Sequence, residues 1–254
     1  MTERKVAVVT GSGKARVGAV VAEEFARRGY AVAVHYRTSL DEAEATAARL
    51  RSHGVEVAVF AADLTLETDV RRFRESVTAK FGRVDVLVNC AAIWKRKALE
   101  EVTAEDVREQ FDANALSTFL CSQQFGLAMV KRPEGGVIVN VGDWAEVRPY
   151  TGYAAYFPSK GSINAMTRCF AVELGTRNPN VRVNAVLPGP VMLPPDLPAK
   201  ERRAAIEATL VKREGTPHNV AQAVWALVEN DFITGVCLPV DGGRSIYAPD
   251  APGV

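Results

Sequence analysis

Short apolar runs alternate along the chain with stretches in which apolar positions recur every three or four residues. The runs predict strands and the recurrences predict helices. KVAVVT at 5–10 reads as a buried strand, and Val17, Val20, Val21 and Phe25 mark one face of a helix ending near Gly29. The same reading predicts strands at 30–36, 55–61, 84–89, 136–141, 181–186 and 236–240. Helices are predicted at 41–51, 67–81, 154–175, 199–212 and 219–229. Another runs from an N-cap signal at Thr103 and Asp106 to about 130.

Strands that regularly alternate with helices imply right-handed crossovers and an α/β fold. The expected sheet is parallel and doubly wound, with helices on both faces. No internal repeat or low-complexity segment interrupts the pattern. The one linker-like stretch, the proline-rich 188–198, falls late, where a substrate loop of about 188–215 is expected. The reading is therefore one domain over 1–254, with the tail APDAPGV loose or packed on a neighbouring subunit.

Composition narrows the function classes. Hydrophobic residues at 48% and charged residues at 24% are ordinary for a globular chain of 254 residues. A net charge of +1 argues against nucleic acid or an anionic membrane as partner. No apolar run approaches the roughly 18 residues of a membrane span, and MTERKVAVVTG lacks a signal-peptide core. Cys90, Cys121, Cys169 and Cys237 are far apart and without a histidine cluster. Free thiols in a reducing cytoplasm and no metal site are expected.

The first strand runs into TGSGKARVG, at Thr10–Gly18, and then a helix. A glycine-rich turn there lets backbone N–H groups and the helix N-terminus approach a pyrophosphate. Gly11, Ser12, Arg16, Val17 and Gly18 are the expected contacts, although Arg16 stands where a strict G-x-G-x-x-G has glycine. The second strand ends in His35, Tyr36, Arg37, Thr38 and Ser39, with no acid to bind a ribose 2′-hydroxyl. A guanidinium and a hydroxyl suit a 2′-phosphate, and Arg16 adds a second cation, so NADPH/NADP+ is expected. Asp63, followed by Leu64, either meets the adenine edge or caps the next turn. Asn89 in NCAA, with Ala91, is expected near the cofactor ribose.

Asp143 precedes Tyr156 by thirteen residues, and Lys160 follows the tyrosine by four, in YFPSK. Residues four apart share one face of a helical turn. An ammonium there stabilises tyrosinate and is expected to lower the phenol pKa from about 10, making a usable proton donor or acceptor. Pro158 between them requires the helix to start just before it.

These pieces together resemble the short-chain dehydrogenase/reductase family. The matching segments are TGSGKARVG, Asp63, NCAA, Asn114 in FDANALSTF, VNVGD, YFPSK, Pro188-Gly189 and ITGVCLPVDGG. The resemblance implies a Rossmann-type sheet of about seven strands and a homotetramer. It also implies Tyr156 as proton-transfer residue, Lys160 as its pKa partner and ribose anchor, and Asn114 holding a water behind Lys160. Pro188, Gly189 and Val191 would complete the cofactor contacts.

Two departures from the common family pattern resemble pteridine reductases: Asp143 at the usual serine position, and Arg16-Val17-Gly18 in the loop. That likeness implies Trp94 stacking a flat substrate and Tyr153 lining its pocket, with Trp144 nearby. The loop is one residue longer than in that subfamily, and Ala92 replaces a serine. An ionised aspartate has no proton to give a carbonyl oxygen. Asp143 therefore suits reduction of a C=N bond, in which a ring nitrogen takes the proton. The expectation is an NADPH-dependent reductase of a pterin, folate or similar heterocycle. A carbonyl or imine reductase and a dinucleotide-binding sensor without turnover stay open.

Overall fold

The computed structural model describes residues 4–247, so the tail APDAPGV lies outside the described residues. Seven strands form one parallel sheet: β1 (Val6–Val9), β2 (Ala31–Tyr36), β3 (Val57–Ala61), β4 (Val86–Asn89), β5 (Gly136–Val141), β6 (Val181–Pro188) and β7 (Cys237–Val240). Their spatial order is β3-β2-β1-β4-β5-β6-β7, with every adjacent pair parallel. The order reverses between β1 and β4. In open α/β sheets the crevice beyond the strand ends at such a switch is where ligands bind.

Side-chain alternation along the strands builds two cores. Ala7 and Val9 of β1 point to one face, with Val32, Val34, Val86 and Val88. There they meet α1 (Val17–Arg27), α2 (Leu40–Arg51) and α8 (Pro217–Glu229) through Phe25, Leu50 and Val224. Val8, Ala33, Leu87 and Ile138 point the other way. They pack on α3 (Glu67–Phe81), α5 (Ser117–Val130) and α6 (Tyr156–Gly175) through Phe73, Phe125 and Leu174. Burial on both faces explains why these strands read as unbroken apolar runs.

Three predicted helices differ in detail. The helix expected from Thr103 to about 130 is α4 (Ala104–Phe111) and α5, joined by a π turn at Asp112–Leu116. The helix expected over 199–212 is α7 (Ala199–Glu207); it stops early, and Lys212 takes a left-handed φ of 52°. α8 starts two residues before the expected 219 because Thr216 and Asn219 form a capping box and Pro217 sits in the first turn. α6 begins at Tyr156, two residues before Pro158, so the missing proline N–H falls among groups without an intrahelical partner.

Candidate active site

Six of the segments expected to carry chemistry lie at the carboxyl edge of a strand: 10–18 after β1, 36–39 after β2, 63–64 after β3, 89–94 after β4, 142–144 after β5 and 188–191 at the end of β6; Asn114 and the Tyr156–Lys160 pair come from helical segments. Thr10 Oγ1 accepts the N–H groups of Cys90 and Ala91, at 2.9 and 3.1 Å, tying the β1 and β4 loops together across the switch.

The glycine-rich loop is a cradle that side chains would fill. Gly11 has φ +65°, and a Cβ on it would lie 2.8 Å from Ala91 Cα. A Cβ on Gly18 would lie 2.8 Å from the Gly11 carbonyl oxygen. Arg16 is the N-cap of α1 but makes no side-chain cap, so the positive end of that helix is left to a ligand. The site therefore fits a dinucleotide pyrophosphate. Arg16 and Arg37 are exposed beside it, and Ser39 opens α2 with its hydroxyl free of any capping bond. Val17 is half-buried at the start of α1.

Several expected contacts are engaged within the protein. His35 is buried beneath the loop, not facing the crevice. The Gly11 N–H donates to its Nδ1 at 3.0 Å, and Nε2 lies 3.1 Å from the Ala62 carbonyl oxygen. Burial lowers its pKa from 6.5 to about 4, so the ring is neutral and Nε2–H donates to Ala62. The Ser12 hydroxyl donates to the Val9 carbonyl and accepts the His35 N–H. Asp63 Oδ1 accepts the Thr65 N–H and hydroxyl at 3.0 and 2.7 Å, so it caps the turn. Burial opposes the Asp63 charge, but the Thr65 bonds and the Arg37 cation hold its pKa below the ordinary value. Leu64 is buried in the core.

The β4 loop carries Asn89, which is buried and donates to Ser122 Oγ and Asn140 Oδ1, leaving its own Oδ1 without a partner. Asn114 sits in the π turn. Its Oδ1 accepts the Ile93 N–H at 2.8 Å, and its Nδ2 donates to Ile93 O, Gln110 Oε1 and Ser159 Oγ. The side chain clamps the segment before Trp94, and its Oδ1, with one N–H accepted, keeps a second lone pair. Cys90 is a packed thiol whose pKa burial pushes up to about 11, the opposite of an activated nucleophile.

Asp143 and Tyr156 meet as the family resemblance implies: the Tyr156 hydroxyl donates to Asp143 Oδ2 at 2.9 Å. Asp143 Oδ1 accepts the Ala145 N–H at 2.8 Å, capping the short turn Trp144–Glu146. Burial raises the Asp143 pKa. Lys160 is buried and donates to the Val141 carbonyl at 2.8 Å. Burial lowers its pKa, while the Asp143 charge opposes that. The expected lowering of the Tyr156 pKa is reversed. Burial and the Asp143 carboxylate hold the phenol well above 10. The carboxylate accepts its proton directly, whereas the ammonium is turned to a backbone carbonyl. Tyr156 is neutral in this state.

An aromatic wall surrounds the pair. Trp94 lies on Tyr153 with ring centroids 4.9 Å apart and planes 6° apart. Tyr153 meets Tyr156 edge-on at 6.2 Å, and Tyr150 lies edge-on to Tyr153 at 5.2 Å and stacked with Trp144 at 6.3 Å. Tyr150 and Phe157 were not among the sequence candidates. Tyr150, Tyr153 and Tyr156 recur every third residue, the signal that would have found the first. On the far side, β6 ends at Pro188, Gly189 lies against Asp241, and Val191 bridges to Gly215. Among the described residues no three His, Cys, Asp or Glu side chains cluster as metal ligands, and no helix is long and apolar enough to cross a membrane.

A seven-stranded parallel sheet with a glycine cradle at its switch and a Tyr–Lys pair at the β5 edge defines a dinucleotide-dependent oxidoreductase. The family model described as Enoyl-(Acyl carrier protein) reductase matches residues 13–245. The chain is 35% identical over 242 residues to human 3-oxoacyl-[acyl-carrier-protein] reductase, covering 95% of this chain and 98% of that one. It is 34% identical over 247 residues to a 2,5-dichloro-2,5-cyclohexadiene-1,4-diol dehydrogenase of Sphingobium indicum, covering 94% and 96%. Acetoin dehydrogenase from Enterobacter cloacae superposes with a TM-score of 0.88 at 30% identity, covering 99% of each chain. The protein belongs to the short-chain dehydrogenase/reductase family and is an oxidoreductase acting on a small molecule with a nicotinamide cofactor.

Proposed function

We propose that the protein is an NADPH-dependent reductase of a planar C=N heterocycle of the pterin or folate kind. The observation that carries this reading is the 2.9 Å bond from the Tyr156 hydroxyl to the Asp143 carboxylate. A carboxylate at this place repels the oxygen of a carbonyl as it gains charge, but accepts from a ring N–H and helps pass a proton to a ring nitrogen. When bound, the nicotinamide cofactor supplies the hydride. Tyr156 holds the proton, Asp143 orients the phenol, and Lys160 balances the buried carboxylate charge. Trp94, backed by Tyr153 stacked on it, offers a flat apolar face against which a ring can lie.

The 2′-phosphate preference is supported by exposed Arg16 and Arg37 and the free Ser39 hydroxyl, with no acid at the end of β2. A homotetramer is supported by the exposed apolar side chains of Leu116, Phe119, Leu127 and Val172 on and beside α5 and α6. The four free cysteines fit a reducing cytoplasm.

A carbonyl reductase is the second reading, and the raised Asp143 pKa favours it. A protonated Asp143 can donate to a carbonyl oxygen as a serine would. The human relative named for 3-oxoacyl-[acyl-carrier-protein] reduction points the same way. The two readings separate on kcat/KM for a dihydropterin and an activated ketone, measured for wild type, Asp143→Ser and Asp143→Asn. On the pterin reading both variants lose pterin turnover, and Asp143→Ser keeps or gains ketone turnover. Wild type preferring the ketone, or pterin turnover surviving both changes, overturns the pterin reading.

A further inference from the structure

Two arginines at the rim of the aromatic wall have no role in the chemistry above. The Arg244 guanidinium lies 4.6 Å from the centre of the Trp144 ring, on the loop that follows β7. Its Nη1 donates to the Ala205 carbonyl at 2.6 Å, at the end of α7. Arg148 leaves the β5 edge five residues after Asp143, and its Nη1 donates to the carbonyls of Arg244, at 3.1 Å, and Tyr247. Three segments, after β5, along α7 and after β7, thus meet around Arg244, with Arg148 bonded to its backbone carbonyl. Every hydrogen-bond partner the structure gives them is a backbone carbonyl.

Among the described residues no carboxylate forms an ion pair with either. Asp241, whose charge is felt at Arg244, is spent on the Gly243 and Ser245 N–H groups at 2.9 and 2.7 Å. Burial lowers the Arg244 pKa from its ordinary value; Tyr150 opposes that, and the Arg148 charge acts with it. A half-buried guanidinium without an anion is left short of its best partner, and its planar fork of donors matches an anionic oxygen group. The chain of rings from Trp144 through Tyr150 and Tyr153 to Tyr156 links this pair to the proton donor.

We infer that Arg244, with Arg148 beside it, is a specificity-determining residue that receives an anionic oxygen group, carboxylate or phosphate, at the far end of a flat substrate whose reacting edge meets Tyr156. The inference rests on the proposed reading that the substrate is a planar heterocycle. The test compares dihydrobiopterin, whose side chain is uncharged, with dihydrofolate, which carries carboxylates, and with dihydroneopterin monophosphate. Arg244→Gln raises KM for the anionic substrate by about tenfold, equivalent to about 1.4 kcal/mol, against about twofold for dihydrobiopterin. Arg244→Lys restores most of the difference, which a purely structural role would not. The substrate more affected, carboxylate or phosphate, identifies the anion. Equal effects on charged and uncharged substrates overturn the inference.

A second pair, 4-carboxybenzaldehyde and methyl 4-formylbenzoate, separates the two levels of reasoning. If wild type reduces none of the pterins but prefers the carboxylate aldehyde in an Arg244-dependent way, the pterin reading falls and the anion site stands. If neither pair shows a preference that depends on Arg244, the anion site is overturned whatever becomes of the pterins.

Discussion

Acid is expected to unseat the glycine-rich loop through His35. The ring can accept the Gly11 N–H at Nδ1 and donate Nε2–H to Ala62 only while neutral. Protonation puts a hydrogen on Nδ1, the second on the ring, against an N–H that already points at it, at a buried side chain. In the unfolded chain the histidine takes its proton near pH 6.5; in the fold burial delays this to about 4. The depressed pKa fixes the sign. The stabilisation is fully present above pH 6.5, declines as pH falls, and is gone below about 4. At about 1.4 kcal/mol per pH unit, the gap between 6.5 and about 4 amounts to about 3 kcal/mol. His35→Asn keeps an acceptor near the Nδ1 position and cannot titrate. It costs about 0.5–1.5 kcal/mol at pH 7 from the bond to Ala62. Urea unfolding of both proteins from pH 7.5 to pH 4 isolates the term, because every other titrating group cancels in the difference. Wild type loses its advantage over the variant as pH falls and becomes the less stable of the two at the acid end. Parallel stability curves would refute the reasoning.

Two further outcomes follow from the site. Tyr156→Phe keeps the ring and removes the proton, so kcat drops by about 10²–10⁴ while fluorescence titration still finds NADPH bound; a variant within a few-fold of wild type removes Tyr156 from the chemistry. Arg37→Asp exchanges the exposed cation at the end of β2 for an acid and is expected to weaken NADPH selectively, with about 1.5–3 kcal/mol at stake per charge-assisted bond. Equal kcat/KM for NADH and NADPH in the wild type counts against the phosphate assignment.

The sheet was legible because strands buried on both faces leave unbroken apolar runs such as VAVV and AVAVHY. The start of α6 was legible because Pro158 tolerates only the first turn. The π turn at Asp112–Leu116 was not, since one extra residue in a turn shifts an apolar stripe without erasing it. Nor was the cap of α8, because Asn219 does the work usually looked for in Glu or Gln. In the site, the Asp143–Tyr156 contact followed from the family resemblance, but the direction of the Tyr156 pKa did not. Spacing puts Lys160 on the right face without saying that its ammonium turns to Val141. His35 was misread for a similar reason: the sequence places it at the strand end, and only the fold shows its ring beneath the loop with both nitrogens engaged.

The Asp143–Tyr156 edge also limits what can bind productively, independent of the pKa of either group. The phenol proton already points at a carboxylate oxygen, so an incoming atom must compete with Asp143 for it. A carbonyl oxygen can only accept, and taking the proton leaves Asp143 buried with one partner fewer, the Ala145 N–H remaining. An edge that presents an N–H next to a C=N nitrogen does both jobs at once: it donates to the vacated carboxylate oxygen and accepts from the phenol. The exchange keeps the number of hydrogen bonds constant in a site where an unmade one costs about 1–3 kcal/mol, and it keeps the Asp143 charge opposite Lys160 throughout. On the proposed reading this donor–acceptor match, rather than the aromatic wall, sets the substrate class. A flat ring without an N–H beside its reducible bond is then expected to bind the wall as a competitive inhibitor and turn over poorly.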